Sequence, residues 1–141
     1  MAKPDPALLA PARYPATCTI ATRYGDLDTN RHINNIAMAA MFEDARVRFQ
    51  LGLAAEGELP LFMIVSFGIE YLSQAHYPEA ITFHSAVTGH GRSSITLLQL
   101  AVQGTAPVAL ATSVMVLTDG SRPVPLPDHW APALTRLGLS G

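Results

Sequence analysis

The chain is poor in most of what marks the commoner catalytic and binding classes. It has one cysteine, Cys18, which excludes an internal disulfide framework and a cysteine-based zinc site. Cys18 lies in an alternating apolar run and reads as a small buried residue rather than a nucleophile. There is one lysine, Lys3, against eight arginines, and a formal net charge of −2 offers no basic patch to nucleic acid or to an anionic membrane. Charged residues are only 14% and hydrophobic ones 49%, which excludes a disordered chain outside the ends. No apolar run reaches bilayer-spanning length. Met1–Pro15 carries four prolines and no apolar h-region, so the expectation is a cytoplasmic protein without membrane insertion. The sequence also lacks a G-x-S-x-G elbow, a phosphate-cradling glycine loop and an H-E-x-x-H pair. His76, His84, His90 and His129 have no metal-ligand spacing, so no metal is expected.

What remains is a single domain's worth of apolar elements, 141 residues in all. Residues 1–16, with Pro4, Pro6, Pro11 and Pro15, predict an extended lead-in. Thr17–Tyr24 alternates as a short strand. From about Asn35 to Leu51, Met38, Met41, Phe42, Ala45 and Phe49 recur at helical spacing. The first half of that helix is apolar all round, which predicts burial. Asn34 or Asn35 serves as its N-cap, and Gly52 and then Gly57 end it. Four strands follow: Phe62–Leu72, with Met63, Val65, Phe67, Ile69 and Tyr71 on one face, then Ala80–Thr88, Ile95–Gln103 and Val108–Thr118. Turns are read at Gly89–Arg92 and at Gly104–Pro107, and a short helix at Asp128–Leu137. One strand, one helix and four consecutive strands make an α+β domain of one antiparallel sheet and one central helix.

The chemistry concentrates in Tyr24-Gly25-Asp26-Leu27-Asp28-Thr29-Asn30-Arg31-His32-Ile33-Asn34-Asn35, a polar connection between two apolar elements. A helix N-terminus presents unpaired amides and partial positive charge, so the amides near Asn35 are a ready oxyanion hole. Asp28 a few residues upstream is either a turn-former or a carboxylate facing that hole. Asp26 reads as structural. His32 either orients Asp28, touches the reacting group or acts as a general acid, or else simply packs in the loop. Asn34 reads first as a cap and then as a ligand. Glu43 on the helix is a second candidate base or the i+3 partner of Arg46, as Asp44 is the i+4 partner of Arg48. Met38 and Met41 are either core filling or the wall of an adaptable apolar pocket, which Phe42, Phe67 and Tyr71 would complete.

The pattern Y-x-D-x-D-x-x-x-H-x-N-N leading into F-E-D-A-R resembles the signature of hot-dog-fold acyl-CoA thioesterases, most nearly the 4-hydroxybenzoyl-CoA thioesterase-like branch. The resemblance implies a sheet wrapped around the helix over residues 17–127, with residues 128–141 as a tail. It also implies a homodimer or homotetramer with sheets joined edge to edge and sites between subunits. It assigns Asp28 as nucleophile or general base, metal-free hydrolysis of acyl-CoA to a free acid, and no cofactor beyond the CoA of the substrate. Gly91-Arg92-Ser93-Ser94 resembles the family segment along the pantetheine arm; Arg92 is the cation preferred for CoA phosphates, ahead of Arg31 and Arg122. Arg31 stands where the family has glycine, so either Arg31 or Asn30 must supply a positive φ if the loop needs one. Met38 and Met41 replace usual tyrosines, which favours fatty acyl over hydroxylated aromatic groups. The alternatives are a non-catalytic acyl-thioester binding protein and a hot-dog dehydratase or hydratase. The H-x-N-N run argues against the last.

Overall fold

Alternating segments of the second half pair into one antiparallel sheet with a helix across it. The computed structural model describes residues 3–54 and 59–141. The strands β1 (Ala16–Ile20), β2 (Phe62–Tyr71), β3 (Ile81–His90), β4 (Ser94–Gln103) and β5 (Ala106–Leu117) lie in the order β1-β3-β4-β5-β2. Between the first two runs α1 (Asn35–Leu51), and the chain closes with α2 (Ala131–Arg136) after a 3-10 turn at Asp128–Trp130. This is the α+β hot-dog arrangement of one long helix on a five-stranded sheet.

Small residues in the middle of the sheet let the helix approach. The register sets Phe83 beside Ala101 and Ala101 beside Ala109. Phe42 of α1 is fully buried over them, edge-on to Phe83 at 5.0 Å. Met38, Met41 and Ala45 continue the seam. Farther along, Phe49, Leu97, Met115, Trp130 and Leu134 form a second cluster, so the C-terminal helix seals that end.

The opposite sheet face is covered as well. Leu98, Leu100 and Leu110 pack with Tyr14, Leu8 and Leu9. The lead-in is therefore not extended: Pro6–Leu9 and Pro11–Arg13 are 3-10 turns, each with proline in its first turn, where the missing amide costs nothing. Tyr14 donates its hydroxyl proton to the Leu8 carbonyl at 2.6 Å, and Ser140 donates its amide to the Arg13 carbonyl at 2.9 Å. The two ends of the chain clasp over the back of the sheet.

Other differences have local causes. β1 stops at Ile20, and Tyr24–Asp26 form a 3-10 turn instead of continuing it. β3 runs through Gly89 and His90, leaving a shorter turn before β4. In β2 a bulge between Ile64 and Ser66 breaks the alternation. Phe67, Ile69 and Tyr71 keep the helix-side face, opposite Ser113, Ala111 and Ala109, while the bulge puts Met63 out of phase with them. α1 is less buried than its apolar first half predicts, with Ile36 83% exposed and Ala40 exposed. Gly57, read as a helix terminator, lies outside the described residues.

Candidate active site

The polar connection folds as a closed loop. Leu27 and Ile33 form an isolated antiparallel bridge. Asp28 donates its amide to the His32 carbonyl at 2.9 Å, and Arg31 donates to the Asp28 carbonyl at 3.0 Å. Inside this ring the Asp28 Oδ1 accepts from the amides of Asn30 (2.8 Å) and His32 (3.1 Å). Asp28 is thus a turn-former through Oδ1, while Oδ2 has no protein partner among the described residues. Arg31 takes φ 64°, the positive value that the family glycine would supply, and Asn30 does not.

Asp26 is buried beneath this loop and structural. Its carboxylate accepts from the Arg23 amide at 2.9 Å and from the Arg23 guanidinium at 2.7 Å, and its carbonyl accepts from the Asn34 amide at 2.9 Å. Burial pushes the Asp26 carboxyl up, but the Arg23 side chain and amide outweigh it and hold it below the usual carboxylate range.

Asn34 is the N-cap of α1: its side-chain oxygen accepts from the Ala37 amide at 2.8 Å. The Met38 amide is taken by the Asn34 carbonyl. That leaves the amides of Asn35 and Ile36, in the first turn, without acceptors among the described residues. Asp28, Asn34, Asn35, Ile36, Ala37 and Ala40 line one open cleft of about 600 Å³. Asp28 and the two residues with free amides, at the positive end of a seventeen-residue helix, therefore line the same cleft.

Not every expected residue arrives there. His32 meets Asp28 through its backbone amide, while its ring stands edge-to-face on His76 at 5.2 Å. The His76 backbone is gripped by the side chain of buried Gln103, which accepts from its amide at 2.8 Å and donates to its carbonyl at 2.7 Å. The Ile33 amide bonds the Ala75 carbonyl, zipping this second loop to the first. No sequence signal pairs His76 with His32, because the contact joins two loops remote along the chain.

Glu43 lies away from the cleft lining, largely exposed, 3.8 Å from Arg46. Asp44 and Arg48 pair at 2.8 Å. Arg46 is buried, bonded to the Ser113 hydroxyl at 3.4 Å and stacked over Phe67 at 5.3 Å. Burial lowers its pKa and Glu43 acts the other way. Met38, Met41 and Phe42 are core residues, Phe67 is 38% exposed against Phe42, and Tyr71 donates to the Asn35 carbonyl at 3.2 Å. Arg92, Ser93 and Ser94 lie at the β3–β4 turn. β1 joins the start of β3 at Ile20–Ile81, so the ten residues of β3 separate that turn from the Asp28 end by roughly 30 Å. One chain does not bring Arg92–Ser94 to Asp28.

Residues 22–134 match the family model of the thioesterase-like superfamily. The chain belongs to the thioesterase-like superfamily. Solved structures carry the same fold. A thioesterase from Thermus thermophilus, complexed with coenzyme A and zinc, superposes with TM-score 0.79 at 25% identity, covering 89% of this chain and 95% of that one. A predicted thioesterase from Bacillus stearothermophilus gives 0.78 at 24% identity, with 89% and 97% covered. A DHNA-CoA thioesterase from Staphylococcus aureus gives 0.69 at 16%, with 86% and 87% covered. No curated protein matches the chain. Within this superfamily member, the described residues include no group of three or more His, Cys, Asp or Glu that could hold a metal ion, and no helix long and apolar enough to cross a membrane.

Proposed function

We propose that this thioesterase-like chain hydrolyses acyl-CoA to a free acid and CoA, with Asp28 as nucleophile or general base and no metal. The observation that supports this reading is the one cleft lined by Asp28 and by Asn35 and Ile36, whose amides lack acceptors among the described residues. A thioester carbonyl oxygen seated on those amides gains most as it becomes an oxyanion; losing one such donor typically costs about 3 kcal/mol. Asp28 attacks the carbonyl carbon or takes a proton from the attacking water. With Asp28 as base, the tetrahedral intermediate expels CoA thiolate, which takes from Asp28 the proton removed from water. With Asp28 as nucleophile, expulsion of the thiolate leaves an acyl-Asp28 anhydride. Water then hydrolyses it to the free acid, restores the carboxylate and supplies the thiolate's proton. His32 holds Asp28 by its amide, and Asn34 keeps the first helical turn formed. Glu43 stands in reserve as the base. CoA enters only as part of the substrate; the Thermus thioesterase complexed with coenzyme A and zinc supports a CoA thioester.

The reading includes a homodimer joined at the free edge of β2. Met63, Val65 and Phe67 lie exposed along that edge, and Ile36 is bare beside the cleft. An unpaired apolar edge favours pairing with a second copy. The distance of Arg92, Ser93 and Ser94 from Asp28 supports the same arrangement, in which the partner supplies the CoA-binding turn. Apolar Met38 facing Tyr71 favours fatty acyl groups.

The test is free-thiol release from short, long and aromatic acyl-CoAs by wild type and Asp28→Asn, with folding checked and a chelator arm. We expect at least a hundredfold loss in the variant and no effect of chelation. No hydrolysis by wild type returns the protein to a binding role; activity surviving in Asp28→Asn moves the chemistry to Glu43.

A further inference from the structure

Two spaces adjoin at the start of α1, and a third borders the second at the end of β2. Asn35 lines the Asp28 cleft and also a smaller cavity of about 190 Å³ bounded by Met38 and Ala75. Tyr71 and Leu72 close the far side of that cavity. Behind them lies a third space of about 680 Å³, walled by Pro4, Pro6 and Leu9 of the folded lead-in. Tyr71 and Leu72 both border the two spaces; Tyr71 keeps the helix-side face, whereas Leu72 packs with Leu8 and Leu9 on the back of the sheet. The Tyr71 hydroxyl donates to the Asn35 carbonyl at 3.2 Å, which pins the ring to the helix N-terminus.

We infer that Tyr71 is the end stop of the acyl subsite and sets the longest chain accepted. The inference rests on the thioester-hydrolysis reading above. An acyl group whose carbonyl oxygen sits on the Asn35 and Ile36 amides has the Met38 cavity beside it, and apolar contact there replaces water. A chain that outgrows this cavity meets the face of Tyr71. Room exists beyond the end of β2, and Tyr71 is the residue there that faces the helix-side cavity, so it sets the limit ahead of the packed core. The lead-in that walls this room precedes residue 22, where the family match begins. The phenol also touches the machinery directly: the Asn35 carbonyl and the Ile36 amide belong to one peptide unit, so a bond to the first polarises the second.

These two duties separate by substitution. kcat and KM are measured over a series of straight-chain acyl-CoAs for wild type, Tyr71→Phe and Tyr71→Ala; Tyr71 is 48% exposed, so neither variant empties the core. Tyr71→Ala is expected to raise kcat/KM for the longest chains relative to the shortest by about tenfold or more, the discrimination a methylene or two commands in an apolar pocket. Tyr71→Phe keeps the wall and loses the bond, so kcat falls by a similar factor at every length while the length preference stays. A uniform loss at all lengths in Tyr71→Ala overturns the inference. If wild type hydrolyses nothing, the hydrolysis reading fails separately. Calorimetric binding of the same series then decides the subsite: a length cut-off that moves outward in Tyr71→Ala sustains it, and affinities with an unmoved cut-off end it.

Discussion

Arg31 holds φ 64°, the one positive value outside glycine among the described residues. An L-residue there costs about 1–2 kcal/mol from the crowding of Cβ on the backbone. The loop tolerates it because the ring of bonds around Asp28 leaves no other path: the Arg31 amide is committed to the Asp28 carbonyl and the His32 amide to the Asp28 side chain. Arg31→Gly is expected to stabilise the protein by at most about 1 kcal/mol once glycine's chain entropy is subtracted, and Arg31→Val to destabilise it by about 1 kcal/mol or more. Urea denaturation measures both. A reversed order would show that the arginine side chain stabilises the loop in its own right. The need for a positive φ near residue 31 was legible from the departure at the family glycine; which residue would bear it was not, because that depends on closure of the whole loop.

Among the elements, α1 decides whether there is a site at all. Its Asn34 cap takes the Ala37 amide and leaves those of Asn35 and Ile36 free. Asn34→Ala is expected to cost about 1 kcal/mol of stability. It should also lower thiol release by more than that loss of folded protein explains, since a frayed first turn no longer presents two fixed amides. Turnover measured well below the melting range separates the two effects; unchanged turnover would mean that those amides are not used. The cap, the helix span and the seam of Met38, Met41, Phe42, Ala45 and Phe49 were readable because each is local, set by spacing and by one side chain's reach. The face exposed by Ile36 and Ala40 was not, because apolar character says that a surface wants cover without saying that its own sheet supplies it.

At the scale of the molecule, β2 is the open question that the fold poses to a second copy. Among the described residues its outer edge is unpaired and largely exposed, and the bulge at Val65 keeps Phe67, Ile69 and Tyr71 on the helix side. Val65→Lys puts a charge on that edge without touching the core, as Val65 is 54% exposed. We expect a homodimer of wild type in sedimentation and a shift toward monomer in the variant, with thiol release falling in parallel. A wild-type monomer with full activity would show that one chain holds a complete site and that Arg92–Ser94 play no part.

By itself the amino-acid sequence determined the order of elements, the buried seam of α1 and its Asn34 cap. All of these follow from interactions within a few residues, where backbone geometry leaves little choice. Only the tertiary structure decided that the proline-rich lead-in folds over the back of the sheet, that His76 meets His32, that Arg92–Ser94 stand at the far end from Asp28, and that Tyr71 and Leu72 border two cavities. Those outcomes depend on strand order, on one bulge and on the packing of segments far apart in the chain, and no local pattern encodes them.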